Sequence, residues 1–227
     1  MESTEKHLAI FTATKLESEL ILRNLNNQEY LDIKGFPYFK GKINNVPLLL
    51  SITGIGKINS AIASLILLNH FKVSKILIYG VAGAYPSSNL SLGEIVFCEK
   101  EIDAEKGVLV NCENSFIFME HEEIDMYIPE AFKSFKRGVF LTVDCCSGNL
   151  QRARFLEKKF NAICENMEGA AVAKVAKIFN TSATEIRAIS NIIAERKTLL
   201  TPTEIRLAAT KIQKFILDNF LALTNQF

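Results

Sequence analysis

Two glutamates and an asparagine are the residues of this 227-residue chain whose types and settings suit chemistry. Glu168 stands in Cys164-Glu165-Asn166-Met167-Glu168-Gly169-Ala170-Ala171-Val172-Ala173-Lys174-Val175-Ala176, which reads as a buried strand running into a helix of small residues. An acid in the first turn of a helix suits the positive end of the helix dipole, so a helix-start role accounts for Glu168 as readily as a site role. Gly169, Ala170, Ala171 and Ala173 leave space beside the acid, however, and open α/β sheets bind ligands outside the carboxyl ends of their strands. Glu17 is in the same double position. Thr14 precedes it by three residues, a capping-box spacing, yet it lies one turn beyond an apolar run, His7 to Ala13. Ser190 and Asn191 end the last strand-like run. Two carboxylates and an amide, gathered with glycine-rich loops, suit a polyol joined to a heterocycle: one acid holds sugar hydroxyls, the other activates water, and the amide reads a base edge.

The elements that must position these groups alternate between strand and helix. Tyr38 to Ile43 and Val46 to Thr53 flank Asn44-Asn45 as a hairpin. The second arm ends in Gly54-Ile55-Gly56-Lys57, where backbone amides can meet a phosphate or a sugar; a tight strand-to-helix turn explains the glycines equally well. A helix from Ile58 to about Phe71 leads to Lys75-Ile76-Leu77-Ile78-Tyr79, apolar throughout as a central parallel strand should be, and Gly80-Val81-Ala82-Gly83-Ala84 reads as a second loop. Glu99, Glu101, Asp103 and Glu105 alternate and predict one acidic, solvated strand face. Ser115 to Met119 reads as a flap or an interface segment. Gly138 to Val143 predicts a core strand, followed by the loop Asp144 to Asn149 and a helix from Leu150 to Phe160. Thr201-Pro202-Thr203-Glu204 starts a final helix that runs to about Phe220. These elements predict a three-layer α/β/α sandwich around a central twisted, mixed and largely parallel sheet, as one domain over residues 1–227.

Composition narrows the partners. A net charge of +1 gives no global reason to expect nucleic acid or an anionic membrane. No apolar run reaches the ~18 residues of a membrane span, and the polar opening Met1 to Lys6 lacks the order of a secretion signal. Five cysteines without metal-ligand spacing predict reduced, mostly buried thiols in a cytoplasmic protein. Cys145 and Cys146 are expected to be structural, since none of His7, His70 and His121 has a setting that suggests a paired base.

Five blocks, Ala13-Thr14-Lys15-Leu16-Glu17, Gly54-Ile55-Gly56-Lys57, Gly80-Val81-Ala82-Gly83-Ala84-Tyr85, Glu165-Asn166-Met167-Glu168-Gly169-Ala170-Ala171 and Arg187-Ala188-Ile189-Ser190-Asn191, together resemble the nucleoside phosphorylase and hydrolase family. The branch they resemble is that of the 5′-methylthioadenosine/S-adenosylhomocysteine nucleosidases, and within it the futalosine hydrolases of the menaquinone pathway. The resemblance implies that Glu17 positions the attacking water and that Glu168 holds the ribose hydroxyls, with Asn166 and Met167 beside it. It implies further that Ala82 and Gly83 line ribose and base, and that Ser190 and Asn191 meet the purine, Asn191 standing where adenine-specific enzymes carry Asp. A homo-oligomer with a nucleoside substrate, no cofactor and no metal is implied as well. Asn191 favours a 6-oxopurine, because an amide donates a hydrogen bond but no proton and hypoxanthine leaves more easily than adenine. With Arg23 the sole arginine among residues 1–136, water rather than phosphate is the expected acceptor. Ile192 to Lys197 departs from the Gly-Asp-Arg-Asp ending of futalosine hydrolases, which makes Glu195 a competitor for the leaving-group role. The alternatives are an adenine-releasing nucleosidase and a non-catalytic nucleoside-binding protein.

Overall fold

The computed structural model describes residues 5–109, 116–194 and 202–224. His7–Thr12 (β1) is buried at every position, as a strand covered on both faces must be. The expected capping box then starts the helix Lys15–Arg23 (α1): the Thr14 hydroxyl accepts from the Glu17 N–H, and the Glu17 side chain accepts from the Thr14 N–H. Asn26–Ile33 (β2) has no counterpart in the sequence reading; its first half is polar and exposed, and only Leu31 and Ile33 pack against the core, too short an alternation to mark a strand. It pairs antiparallel with Phe36–Ile43 (β3), and β3 forms the predicted hairpin with Val46–Ile52 (β4). Asn44 and Asn45 turn it with φ of 48° and 65°, the left-handed pair that matches right-twisted strands.

Lys57–His70 (α2), Val73–Ala84 (β5), Ile95–Asp103 (β6), Gly107–Leu109 (β7), Phe116–Phe118 (β8) and Glu123–Asp125 (β9) follow. The second half holds Arg137–Thr142 (β10), Leu150–Phe160 (α3), Ala162–Asn166 (β11), Gly169–Ile178 (α4), Ala183–Ile192 (β12), Pro202–Asp218 (α5) and Phe220–Thr224 (α6). Of Ser115 to Met119, Phe116–Phe118 pairs with β7 as a ribbon. Ser115, Cys112, Glu195 to Lys197 and the expected helix cap Thr201 lie outside the described residues.

The sheet runs β11-β10-β6-β12-β5-β1-β4-β3-β2. β4, β1, β5 and β12 are parallel neighbours, so their carboxyl ends meet along one edge. β6, β10 and β11 form a second parallel set, joined antiparallel to β12. β11 then pairs back onto β5, antiparallel, at Cys164↔Ala84 and Glu165↔Gly83. Five strands thus close into a ring with its seam at Glu165 and Gly83. This seam corrects one expectation: Gly80 to Ala84 is not a loop but the end of β5, paired with β12 on one side and β11 on the other. Small residues there allow two strands to approach where a loop seemed to be needed.

Helices cover both faces. α2 and α4 pack over a core that includes Leu67, Ile76 and Val172, and α1 and α5 over one that includes Ile21, Ile212 and Ile216. The expected three-layer arrangement around a mixed sheet is therefore present. Among the described residues, no helix is long and apolar enough to cross a membrane.

Candidate active site

A cavity of about 270 Å³ opens where the parallel strands end and β11 crosses them, lined by Glu17, Val81 to Gly83, Glu165 to Glu168, Ser190 and Asn191. All eight residues expected at a site, Glu17, Ala82, Gly83, Asn166, Met167, Glu168, Ser190 and Asn191, line this one space. Thr14, Ile55, Cys146 and Ile205 complete parts of the wall. A larger groove of about 760 Å³ lies elsewhere, by Glu99, Lys100 and Glu123. Its charges pair with one another, Lys100 with Glu123 at 2.5 Å and Arg137 with Glu99 at 2.8 Å, and it gathers none of the candidate groups.

Glu17 is both a capping acid and a cavity residue. Its Oε2 accepts from the Thr14 N–H at 3.0 Å and the Thr14 hydroxyl at 2.7 Å, and its Oε1 accepts from the Val81 N–H at 3.0 Å. An ionised carboxylate offers about four lone-pair sites, so three donors fix it and leave one site toward the cavity. The two readings of Glu17 are therefore not rivals: the cap is what holds the acid in place.

For Glu168 the helix-start reading fails. It occupies the cap position of α4 without a side-chain capping bond. The Asn166 Oδ1 does that work, accepting from the Glu168 N–H at 2.9 Å and the Gly169 N–H at 2.7 Å. The Glu168 Oε1 instead accepts from the Gly56 N–H at 3.1 Å, and Oε2 lies 3.6 Å from Arg187 Nη1. Gly56, at φ 96°, uses its freedom to turn an amide onto this carboxylate, which settles what the Gly54 to Lys57 loop is for. Lys57 itself turns away to Asp103 at 2.8 Å and Asp144 at 2.9 Å. Burial pushes the Glu168 carboxyl up, while Arg187 and the Gly56 amide pull it back.

At the opposite wall the Ser190 hydroxyl donates to Asn191 Oδ1 at 3.0 Å, with the Ala82 carbonyl 3.2 Å away. The Asn191 Nδ2 is buried without a partner among the described residues. Gly83 pairs with Asn191 on one side and Glu165 on the other, and a Cβ there would sit 3.2 Å from that Nδ2. A side chain at this position would crowd Asn191 and Ile193, so glycine lets the amide lie close against the strand. The Glu165 carboxylate faces Ser147, whose N–H donates at 2.6 Å and whose hydroxyl donates at 2.7 Å, and it accepts from the Tyr85 hydroxyl at 3.0 Å. Glu165 thereby pins the loop that carries Cys146 to the wall.

Behind the cavity lies a polar network that sequence reasoning did not identify. Arg187 is 2% exposed; its Nε and Nη2 meet the Glu185 Oε1 at 2.8 and 2.7 Å, and Nη2 also donates to Asn166 Oδ1 at 3.2 Å. Burial opposes its charge, but Glu185 and Glu168 hold it firmly protonated. Asn166 passes the network on, donating to Glu101 Oε1 at 2.6 Å. Glu101 corrects the expectation of a solvated acidic face: Glu99 and Asp103 are exposed, whereas Glu101 is fully buried. A regular alternation would put the three together, but the β10 ladder shifts register between Gly138 and Val139, opposite Cys98 and Lys100, and turns Glu101 inward. The signal available was the pair Glu185 and Arg187, two apart and the only charges on a strand buried from Ala183 to Asn191, where a buried charge needs an opposite one. The cysteine expectation holds for Cys98 and Cys164, which are buried; Cys145 and Cys146 are exposed, because their loop lies at the cavity mouth and not under a helix.

A family model described as the phosphorylase superfamily matches residues 7–222. The 5′-methylthioadenosine/S-adenosylhomocysteine nucleosidase of Maridesulfovibrio salexigens is 28% identical over 204 residues, covering 83% of this chain and 87% of that protein. The futalosine hydrolase of Thermus thermophilus is 34% identical over 151 residues, 61% of this chain and 67% of that protein. Relatives named for methylthioadenosine and S-adenosylhomocysteine predominate. In fold, the chain matches the crystal structure of the Neisseria meningitidis 5′-methylthioadenosine/S-adenosylhomocysteine nucleosidase in complex with methylthio-immucillin-A, with a TM-score of 0.82 at 19% identity over 97% of this chain and 100% of that one.

The geometry around Gly80 yields a test. A Cβ there would come within 2.7 Å of both Arg187 Nη1 and Glu17 Oε1. Gly80→Ala is expected to displace one of them and lower kcat/KM by about 10²-fold, with circular dichroism showing the fold retained. Gly148→Ala, where nothing lies within 4 Å, is expected to change neither. Equal activity in the two variants would separate the glycine from the site.

Proposed function

Because this chain belongs to the phosphorylase superfamily and its named relatives are N-glycosyl hydrolases of purine nucleosides, we propose that it hydrolyses futalosine to hypoxanthine and dehypoxanthine futalosine, a step of menaquinone biosynthesis. The observation that carries this reading is the Nδ2 of Asn191, a buried donor on a cavity-lining residue beside Gly83, with no partner among the described residues. An amide donor can hold the purine N7 as the base departs, but it has no proton to give. Such a group suffices for a 6-oxopurine, which leaves readily, and serves adenine poorly.

The other groups take roles that fit an oxocarbenium-like transition state. Glu168, ionised, accepts hydrogen bonds from the ribose hydroxyls and offsets positive charge developing on the sugar. Glu17 uses its one unfilled site to take a proton from the water that attacks the anomeric carbon. Met167, Ala82 and Gly83 give apolar contact to sugar and base. Water is the acceptor: no Lys or Arg is among the described residues lining the cavity, and a phosphate would need cationic forks.

A second reading, an adenine-releasing nucleosidase, draws on the names that predominate among the relatives. Purified protein incubated with futalosine, methylthioadenosine and inosine, with and without phosphate, is expected to release hypoxanthine from futalosine independently of phosphate. Adenine from methylthioadenosine and none from futalosine would decide for the second reading; no base from any substrate would leave a binding protein. Glu17→Gln is expected to lower kcat by about 10²–10⁴-fold, the usual contribution of a general base. Asn191→Asp is expected to raise activity on adenine nucleosides relative to futalosine; an unchanged ratio would remove Asn191 from base selection.

The proposal includes a homo-oligomer. Ile58 is 77% exposed and Ile62 and Leu65 follow it along α2, continuous with Ile55 at the cavity wall, so a second copy on this stripe would cover apolar surface and the cavity mouth together. Sedimentation equilibrium is expected to give a dimer that Ile58→Asp dissociates; a wild-type monomer would refute this part.

A further inference from the structure

Glu185 has no part in the proposed hydrolysis, yet it is fully buried on β12 and, among the described residues, hydrogen-bonds to a single partner, Arg187. Buried ions cost several kcal/mol each unless well paired, so its presence needs an account. Both Nε and Nη2 of Arg187 converge on Glu185 Oε1, while Oε2 has no partner. That grip leaves Nη1 as the third arm of the guanidinium, donating to the Val81 carbonyl at 3.4 Å. Nη1 lies 3.6 Å from Glu168 Oε2, and it faces Glu17 Oε1 across the space over Gly80, where a Cβ would approach each of them at 2.7 Å. The cation thus pairs with the acid assigned to ribose on the side that the acid assigned to water also faces.

We propose that Glu185 is a positioning residue for the hydrolytic reaction: by holding Nε and Nη2 it aims Nη1 of Arg187 at Glu168, on the side that Glu17 faces. This rests on the N-ribosyl hydrolase reading of the cavity. The guanidinium is planar with its donors in a rigid fork, so fixing two nitrogens fixes the third. Without Glu185 the fork is free to swing onto Glu168 or onto Asn166, and Nη1 leaves the position that the grip fixes.

The surrounding charges define how this would be read. Facing Glu185 are Arg187 on its own strand, Glu101 and Cys98 from β6, Cys164 from β11 and Glu168 from the β11–α4 junction; a ligand atom each of Cys98, Glu101 and Glu185 lies within 4.8 Å of the others. Glu17 faces the far side of Arg187. Burial pushes Glu101 well up, and Glu185 adds to that; burial likewise pushes the Cys98 and Cys164 thiols up. Glu185 also helps to raise Glu168, after burial and Glu17. Removing the Glu185 charge therefore lets Arg187 hold Glu168 ionised to lower pH.

Steady-state pH profiles on futalosine test the proposal with three variants. Glu185→Gln keeps an oxygen for the fork but not the charge: the acidic limb of kcat/KM is expected to move toward lower pH and kcat to fall about 10-fold. Glu185→Asp keeps the charge but withdraws it from Nε, so kcat is expected to fall with the limb in place, and this variant is decisive alone if the first does not fold. Glu101→Gln, at a residue that reaches Arg187 only through Asn166, is expected to keep the limb where the wild-type protein has it. A Glu185→Gln protein with a lowered Tm but unmoved limb and kcat would show a structural role only and overturn the inference, as would an unaltered kcat in Glu185→Asp. A wild-type protein that releases no base from futalosine, methylthioadenosine or inosine would instead sink the functional reading, which the same assay records first.

Discussion

One guanidinium serves four buried carboxyl groups, and much of the structure around the cavity exists to keep that ratio workable. Arg187 meets Glu185 directly, approaches Glu168 and reaches Glu101 through Asn166, while Glu17 lies on its outer side. A carboxylate buried without compensation loses several kcal/mol of hydration, so the cluster persists only with a cation at its centre and polar hydrogen-bonding partners at its rim. Two glycines follow from the same crowding. A Cβ on Gly169 would come within 2.6 Å of Glu185 and still nearer to Glu101. One on Gly80 would strike Arg187 and Glu17. The small-residue start of α4 therefore makes room for charge behind the cavity as well as for a ligand inside it.

Fixed dipoles finish what the cation begins. Glu17 is held by Thr14 and Val81, and Glu168 by Gly56, each donor belonging to a different segment. Groups oriented by the fold before a ligand arrives need no reorganisation when charge develops on it. This also explains why backbone amides that look like an anion cradle in the sequence are not offered to a ligand: the nearest is already spent on the protein's own carboxylate.

The parts of the fold that were legible share a cause. β1, the hairpin at Asn44-Asn45, α3 and β12 are set by local pattern, an apolar run, two residues fit for positive φ, or a cap, and such patterns survive without knowledge of neighbours. β2 was invisible because the apolar alternation of this edge strand is too short to mark it. The end of β5 was misread because glycine marks loops and tight strand crossings alike. The eight cavity residues were legible because each ends a strand or follows one. Glu101 and Glu185 were not, since their inward aim depends on a register shift and on Arg187. Glu165 was not, because its partner Ser147 belongs to another loop.

The seam between β11 and β5 makes the cavity wall a product of two long-range ladders. Gly83 is paired with Glu165 on one side and with Asn191 on the other, so three distant parts of the chain meet at one residue. A slip of one residue in either ladder would turn its lining side chains to the opposite face. The two ladders therefore hold each other in register, and neither wall can drift against the other without breaking the pairing at Gly83.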